Sequence, residues 1–105
     1  MGRRVRPYIG RFASVAPGVV VPEQAVIRGQ ALIASQADLI VVGPVLDHWF
    51  TAHRDAQIGV RICRTVHHGS IPDYEARVET CCAGDTHKLA AFRQVIETIK
   101  RYFNL

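Results

Sequence analysis

Long uncharged apolar runs are missing from this chain of 105 residues; the best candidate, Val15 to Gly43, is interrupted by Arg28 and Asp38. A membrane span needs about 18 such residues, so none is expected. The opening "MGRRVRPYIG" is basic but leads into no continuous apolar segment, which argues against a secretory signal and for a soluble, cytoplasmic protein. Cysteine is scarce: Cys63, Cys81 and Cys82 are an odd number with two adjacent, a poor disulfide framework, so reduced thiols are expected. There is no C-x-x-C and no H-x-x-x-H. Adjacent ligands such as His67-His68 and Cys81-Cys82, even with Cys63, rarely converge on one zinc ion, and neither metal nor cofactor is expected. Neither a helix-turn-helix nor an aromatic RNA-binding signature is present, and a formal charge of +4 is modest, which excludes specific DNA readout.

What the chain does have is a core's worth of apolar residues, 49%, at a length suited to one domain. It also has arginine, concentrated at the start in Arg3, Arg4, Arg6 and Arg11. Such a cluster either stays solvated or holds an anion.

The Val15–Gly43 stretch keeps neither a helical period near 3.6 nor an alternation of two. Its period is six. Ile9, Val15, Val21, Ile27, Ile33 and Leu39 form one aliphatic column, and Ala13, Val19, Ala25, Ala31, Ala37 and Gly43, four residues further on each time, form a column of mostly small residues. A hexapeptide β-helix accounts for both columns, with the aliphatic side chain pointing inward and a small residue beside each corner. Pro17-Gly18, Pro22 and Gly29 suit the corners. The inward aliphatics contribute about 1.5–3 kcal/mol each, too little to offset the ordering of two coils, so other surfaces must help.

Beyond the repeat, Trp49, Ala52 or His53 and then Ile58, Val60 and Ile62 predict a hairpin turning near Asp55 to Gln57. "GSIPDYEARVETC" has Ser70 at a helix N-cap, Pro72 in the first turn and Asp73 placed to bond back, predicting a helix over about 71–82. Gly84-Asp85 breaks it. A second helix follows, capped by Asp85 or Thr86, with Leu89, Phe92, Val95, Ile96, Ile99 and Phe103 as its apolar stripe. The fold expected is mainly β with C-terminal α: a short left-handed parallel β-helix of about two coils, then a β-hairpin and two helices. Residues 1–105 form a single domain, divided into a basic arm (1–8), the β-helix (9–44), the hairpin (45–66) and a helical cap (67–105).

The hexapeptide columns, followed by "LIVVGPV", a hairpin ending "IGVRI", "HHGSIPDYEARVE" and a terminal helix, resemble small phage- and prophage-encoded hexapeptide-repeat proteins. The resemblance runs over almost the whole chain and is strongest from Asp38 to Glu79. It implies the left-handed β-helix, a phage or prophage origin and a symmetric oligomer, a trimer by the usual habit of hexapeptide proteins. The family is largely without an assigned activity. A cysteine-containing turn commonly precedes its helix start, whereas this chain has "CRTVHHGS" and keeps only Cys63.

Three kinds of function remain. Hexapeptide acyltransferases use a histidine base, and His48, His53, His67, His68 and His87 are available, but two coils leave almost no groove for an acyl carrier. A zinc site is disfavoured by spacing. Binding without chemistry fits best: a phage or prophage accessory protein, acting in counter-defence by inhibiting a host defence protein or capturing a nucleotide or other anionic ligand. Its candidate anion ligands are Arg3, Arg4, Arg6, Tyr8, Arg11, Arg61, Arg64 and His67, with Arg61 and Arg64 equally readable as ordinary outward strand residues. Val20, Val26, Leu32 and Ile40 fall at outward hexapeptide positions and are the expected homo-oligomer interface.

Overall fold

A computed structural model describes residues 6–65 and 67–105. Its N-terminal part pairs short strands in parallel: β1 (Tyr8–Ile9) with β3 (Val26–Ile27), and β2 (Ser14–Val15) with β4 (Leu32–Ile33). Then comes a four-stranded antiparallel sheet in the order β5 (Leu39–Val45), β6 (His48–Asp55), β7 (Gly59–Cys63), β8 (His68–Ser70). Two helices, α1 (Ile71–Cys81) and α2 (Thr86–Tyr102), complete the chain.

The expected left-handed β-helix is not what forms. Parallel pairing is confined to two separate two-stranded sheets of two residues per strand, and no coils are evident. Leu39, which the period-six column places on the next face of a coil, instead opens β5 and pairs antiparallel with β6 at His53. The physical reason lies at the outer edge of the second pass. The backbone N–H groups of Val26, Arg28 and Gln30 donate to side chains of β6: to Thr51 Oγ1 at 2.9 Å, His53 Nε2 at 3.4 Å and Asp55 Oδ2 at 3.2 Å. Side chains at i, i+2 and i+4 of β6 thus cap backbone N–H groups at i, i+2 and i+4 running from β3 into the segment after it, and the edge that further parallel pairing would extend is closed by side chains. The Ala56 N–H completes the seam by donating to the Gln30 carbonyl at 2.8 Å. The period-six residues nearest this seam, Ile27, Ala31, Ile33 and Leu39, are buried together as a small core, while Ile9 is left half exposed.

Strand alternation divides the larger sheet into two unlike faces. Phe50, Ala52, Val60 and Ile62 point toward the helices and form the main core with Tyr74, Val78 and the α2 stripe of Phe92, Val95, Ile96, Ile99 and Phe103. Thr51, His53, Asp55, Arg61 and Cys63 alternate with them, and all are buried. The hairpin β6–β7 turns over Ala56–Ile58. The sequence reading anticipated this pair but not its flanks, β5 and β8.

Both helices start where local chemistry directs. Ser70 accepts from the Asp73 N–H while Asp73 accepts from the Ser70 N–H, a reciprocal capping box with Pro72 in the first turn. Asp85 caps α2 by accepting from the Lys88 N–H at 3.0 Å. The Tyr102 hydroxyl, at the end of α2, reaches the carbonyls of Gln36 and Leu39 at 2.8 and 3.0 Å and ties the helix to the entrance of β5. Among the outward positions expected to form an interface, Val20 and Leu32 are exposed, at 69% and 52%, whereas Val26 is half-buried and Ile40 packs against the helix-side core. Among the described residues, no helix is long and apolar enough to cross a membrane.

Candidate functional site

Two polar constellations stand out among the described residues, one sealed and one open. The sealed one lies between the sheet and the N-terminal strands. His53 Nδ1–H donates to the Arg54 carbonyl at 2.8 Å, which leaves Nε2 as an acceptor for the Arg28 N–H and for the Cys63 thiol at 3.6 Å. Burial lowers the pKa of His53 and pushes that of Cys63 up to about 11. A neutral imidazole beside a protonated thiol is the opposite of the thiolate–imidazolium pair that nucleophilic catalysis needs, and both residues are 0% exposed. Arg61 is equally committed. Its Nε donates to Asp55 Oδ2 at 2.7 Å, its Nη2 to Asp55 Oδ1 and to Gln57 Oε1, and its Nη1 to His68 Nδ1 at 2.8 Å. Asp55 also accepts from the Gln57 and Ile58 N–H groups. Burial alone would raise its pKa, but the Arg61 hydrogen bond and these backbone donors hold it below the ordinary carboxylate value. Gly29, at φ +64°, passes so close that a Cβ there would collide with the Arg61 guanidinium. Arg61 is therefore part of the seam and offers nothing to a ligand.

The open constellation surrounds Arg64, at the end of β7. The loop that follows is fixed at three points: the Arg64 N–H donates to the His67 carbonyl at 2.7 Å, the Tyr74 hydroxyl donates to the same carbonyl at 2.9 Å, and Arg28 Nη2 donates to the Thr65 carbonyl at 2.8 Å. Opposite stands His48, placed at the start of β6 by a tight turn in which Leu46 and Asp47 both have positive φ. Arg64 Nη2 donates to His48 Nδ1 at 2.8 Å, and burial, then Arg64 and Lys88, lower the pKa of His48 so that it stays a neutral acceptor.

His48 and Arg64 line two chambers. The smaller, about 190 Å³, is closed by the helices: Arg77 comes from α1, Lys88 and Phe92 from the first turns of α2, and Phe50 and Tyr74 form its apolar walls. Its cations lie against rings, with Arg64 5.2 Å from the Phe50 centroid, Lys88 5.9 Å from that of Phe92, and Arg77 5.9 Å from that of Tyr74. Among the described residues, no carboxylate lines it. The larger chamber, about 540 Å³, lies on the N-terminal side and brings in Arg6, Tyr8 and Trp49, together with two carboxylates, Glu23 and Asp47.

Of the sequence-derived anion ligands, Arg6, Tyr8 and Arg64 meet in the larger chamber, and Arg64 and His67 in the smaller. Arg11 sits apart, in a shallow depression with Phe12 and Arg28 that Tyr8 also borders. Arg3 and Arg4 lie outside the described residues. Sequence reasoning named His48 only as a candidate catalytic base and passed over Arg77 and Lys88. Lys88 and Phe92, four apart at the start of a capped helix, share a face, and that spacing was the available signal. Among the described residues, no group of three or more His, Cys, Asp or Glu side chains is arranged to hold a metal. Comparison of the chain with protein-family models, with curated proteins and with solved structures gives no match.

Proposed function

We propose that this protein works by binding and not by turnover, and that it captures an anionic ligand at the Arg64 chamber. One observation carries the reading: Arg64, Arg77 and Lys88 converge with His48 and His67 on an aromatic-walled chamber without a carboxylate among its described lining. Cations gathered at one place without counter-charge repel one another, and an anion relieves that repulsion. The resemblance to small phage and prophage proteins supports an accessory role, in which sequestering such a ligand, or blocking a host component that carries one, counters host defence. Acyl transfer loses its warrant with the coils, since a β-helix groove was its only structural basis.

The test is calorimetric titration of inorganic phosphate into the protein and into an Arg77→Ala/Lys88→Ala variant, with acetyl-CoA turnover measured in parallel. Saturable binding that weakens at least tenfold in the variant, and no turnover, is the expected outcome. Acetyl transfer, or phosphate affinity indifferent to the substitutions, contradicts it. The exposed apolar side chains of Val20 and Leu32 support a homo-oligomer assembled through them, while the expected threefold symmetry loses its warrant with the coils; sedimentation velocity should show the unmutated protein larger than a monomer and Leu32→Lys dissociated.

A further inference from the structure

The two chambers beside His48 and Arg64 differ in charge in a way that specifies a ligand with two unlike ends. The smaller holds two arginines and a lysine and, among its described residues, no acid. The larger sets Arg6 and Arg64 against Glu23 and Asp47, so its cations are offset, and a phosphate placed there faces two carboxylates. What suits it instead is an uncharged group rich in hydroxyl and ring donors, because a carboxylate accepts hydrogen bonds from a sugar diol. Gln24 and Thr65 add amide and hydroxyl groups to the same wall.

Flat rings are also provided for. Trp49 packs its indole on the backbone of Gly43, so closely that a Cβ at Gly43 would collide with it, and the residue is still 38% exposed. Tyr8 is 51% exposed, with the Arg28 guanidinium 4.8 Å from its ring centroid. Exposed aromatic faces beside a cationic subsite are the elements that hold a base next to its phosphate. Size agrees with the division. The 540 Å³ chamber falls within the usual range of about 300–1,000 Å³ for a small-molecule site, whereas 190 Å³ is a subsite that takes one charged group.

We infer that the ligand is a phosphomonoester of a flat, hydroxylated ring compound, of the class of a nucleoside monophosphate. Its phosphate is held by Arg64, Arg77 and Lys88, and its ring lies beside Trp49 in the larger chamber. The inference rests on the anion-binding reading above and adds the identity and direction of the ligand. Arg64, which lines both chambers, contacts both ends.

Trp49 is the only tryptophan in the chain, so its fluorescence reports the ring end alone. Adenosine 5′-monophosphate, adenosine and inorganic phosphate are titrated separately, following both indole emission and heat. The expected result is that the monophosphate quenches Trp49 and binds at least tenfold more tightly than phosphate. Arg77→Ala/Lys88→Ala should reduce its affinity to that of adenosine without moving the melting temperature. Phosphate and the monophosphate binding equally, with no change in emission, overturns the two-ended ligand while leaving the anion site standing. Heat from neither phosphate nor the monophosphate overturns both.

Discussion

Arg61, in β7, and Arg64, the first residue past its end, lie three residues apart and each donates to a histidine Nδ1 at 2.8 Å, yet one is sealed in a seam and the other borders two open chambers. The difference is the third partner. Arg61 has Asp55, whose two oxygens take its Nε and Nη2; Arg64 has the rings of Phe50 and Phe92, which attract its charge without neutralising it. An arginine that meets a buried carboxylate becomes structure, and one that meets aromatic faces keeps charge available for a ligand.

The comparison breaks most sharply at Asp55. Asp55→Ala leaves the Arg61 guanidinium buried without its counter-charge and uncaps the Gln30 N–H, and it should cost about 3–5 kcal/mol in urea unfolding. Arg64→Ala should cost about 1 kcal/mol by the same measurement, because it removes only ring contacts and a partly exposed hydrogen bond. Equal losses at the two sites would erase the distinction between them. Next in size is Gly29→Ala, which forces a Cβ into a positive φ and against Arg61; a loss of about 1–3 kcal/mol is expected, seen as a lower urea midpoint with unchanged slope.

Acid separates the two regions by a different route. The folded pKa of His53 lies below the 6.5 of an unperturbed histidine, so the unfolded chain binds the extra proton. Its contribution to stability is complete above about pH 6.5 and declines as pH falls below that value, by at most about 1.4 kcal/mol per pH unit. Asp55, held below 3.8, adds stability above that value that is lost as pH falls through its lower folded pKa. Stability measured from pH 7.5 to 5 should therefore slope downward toward acid, and His53→Gln should flatten the slope. At the open site acid acts on the ligand instead: inorganic phosphate passes from dianion to monoanion as pH falls from 7.5 to 6, so its affinity for Arg64, Arg77 and Lys88 should fall over that range.

How much of this was legible in the sequence follows from how far apart the deciding partners lie. Both helices were readable because Ser70, Asp73 and Asp85 act within three residues of the groups they cap. The aliphatic column marked Ile27, Ile33 and Leu39 as interior and these are buried, whereas Ile9 of the same column is exposed and Val15 and Val21 are half-buried. The column misled on architecture, because the second pass is closed by Thr51, His53 and Asp55, each 25 residues downstream of the N–H it accepts. No local period carries that information. The basic site was half legible for the same reason. Arg6, Tyr8, Arg64 and His67 stand out by type, but Arg77 and Lys88 reach Arg64 only through the packing of α1 and α2 on the sheet, and nothing near Arg61 in the sequence says that Asp55 will claim it.

The most direct test of the open site is the ³¹P resonance of inorganic phosphate, followed as protein is added. With the unmutated chain it should broaden and shift saturably, and with Arg64→Ala, confirmed folded by its cooperative melt, it should remain at the free position over the same concentrations. An unchanged resonance with both proteins, or equal broadening with both, would contradict the assignment of this chamber to an anion.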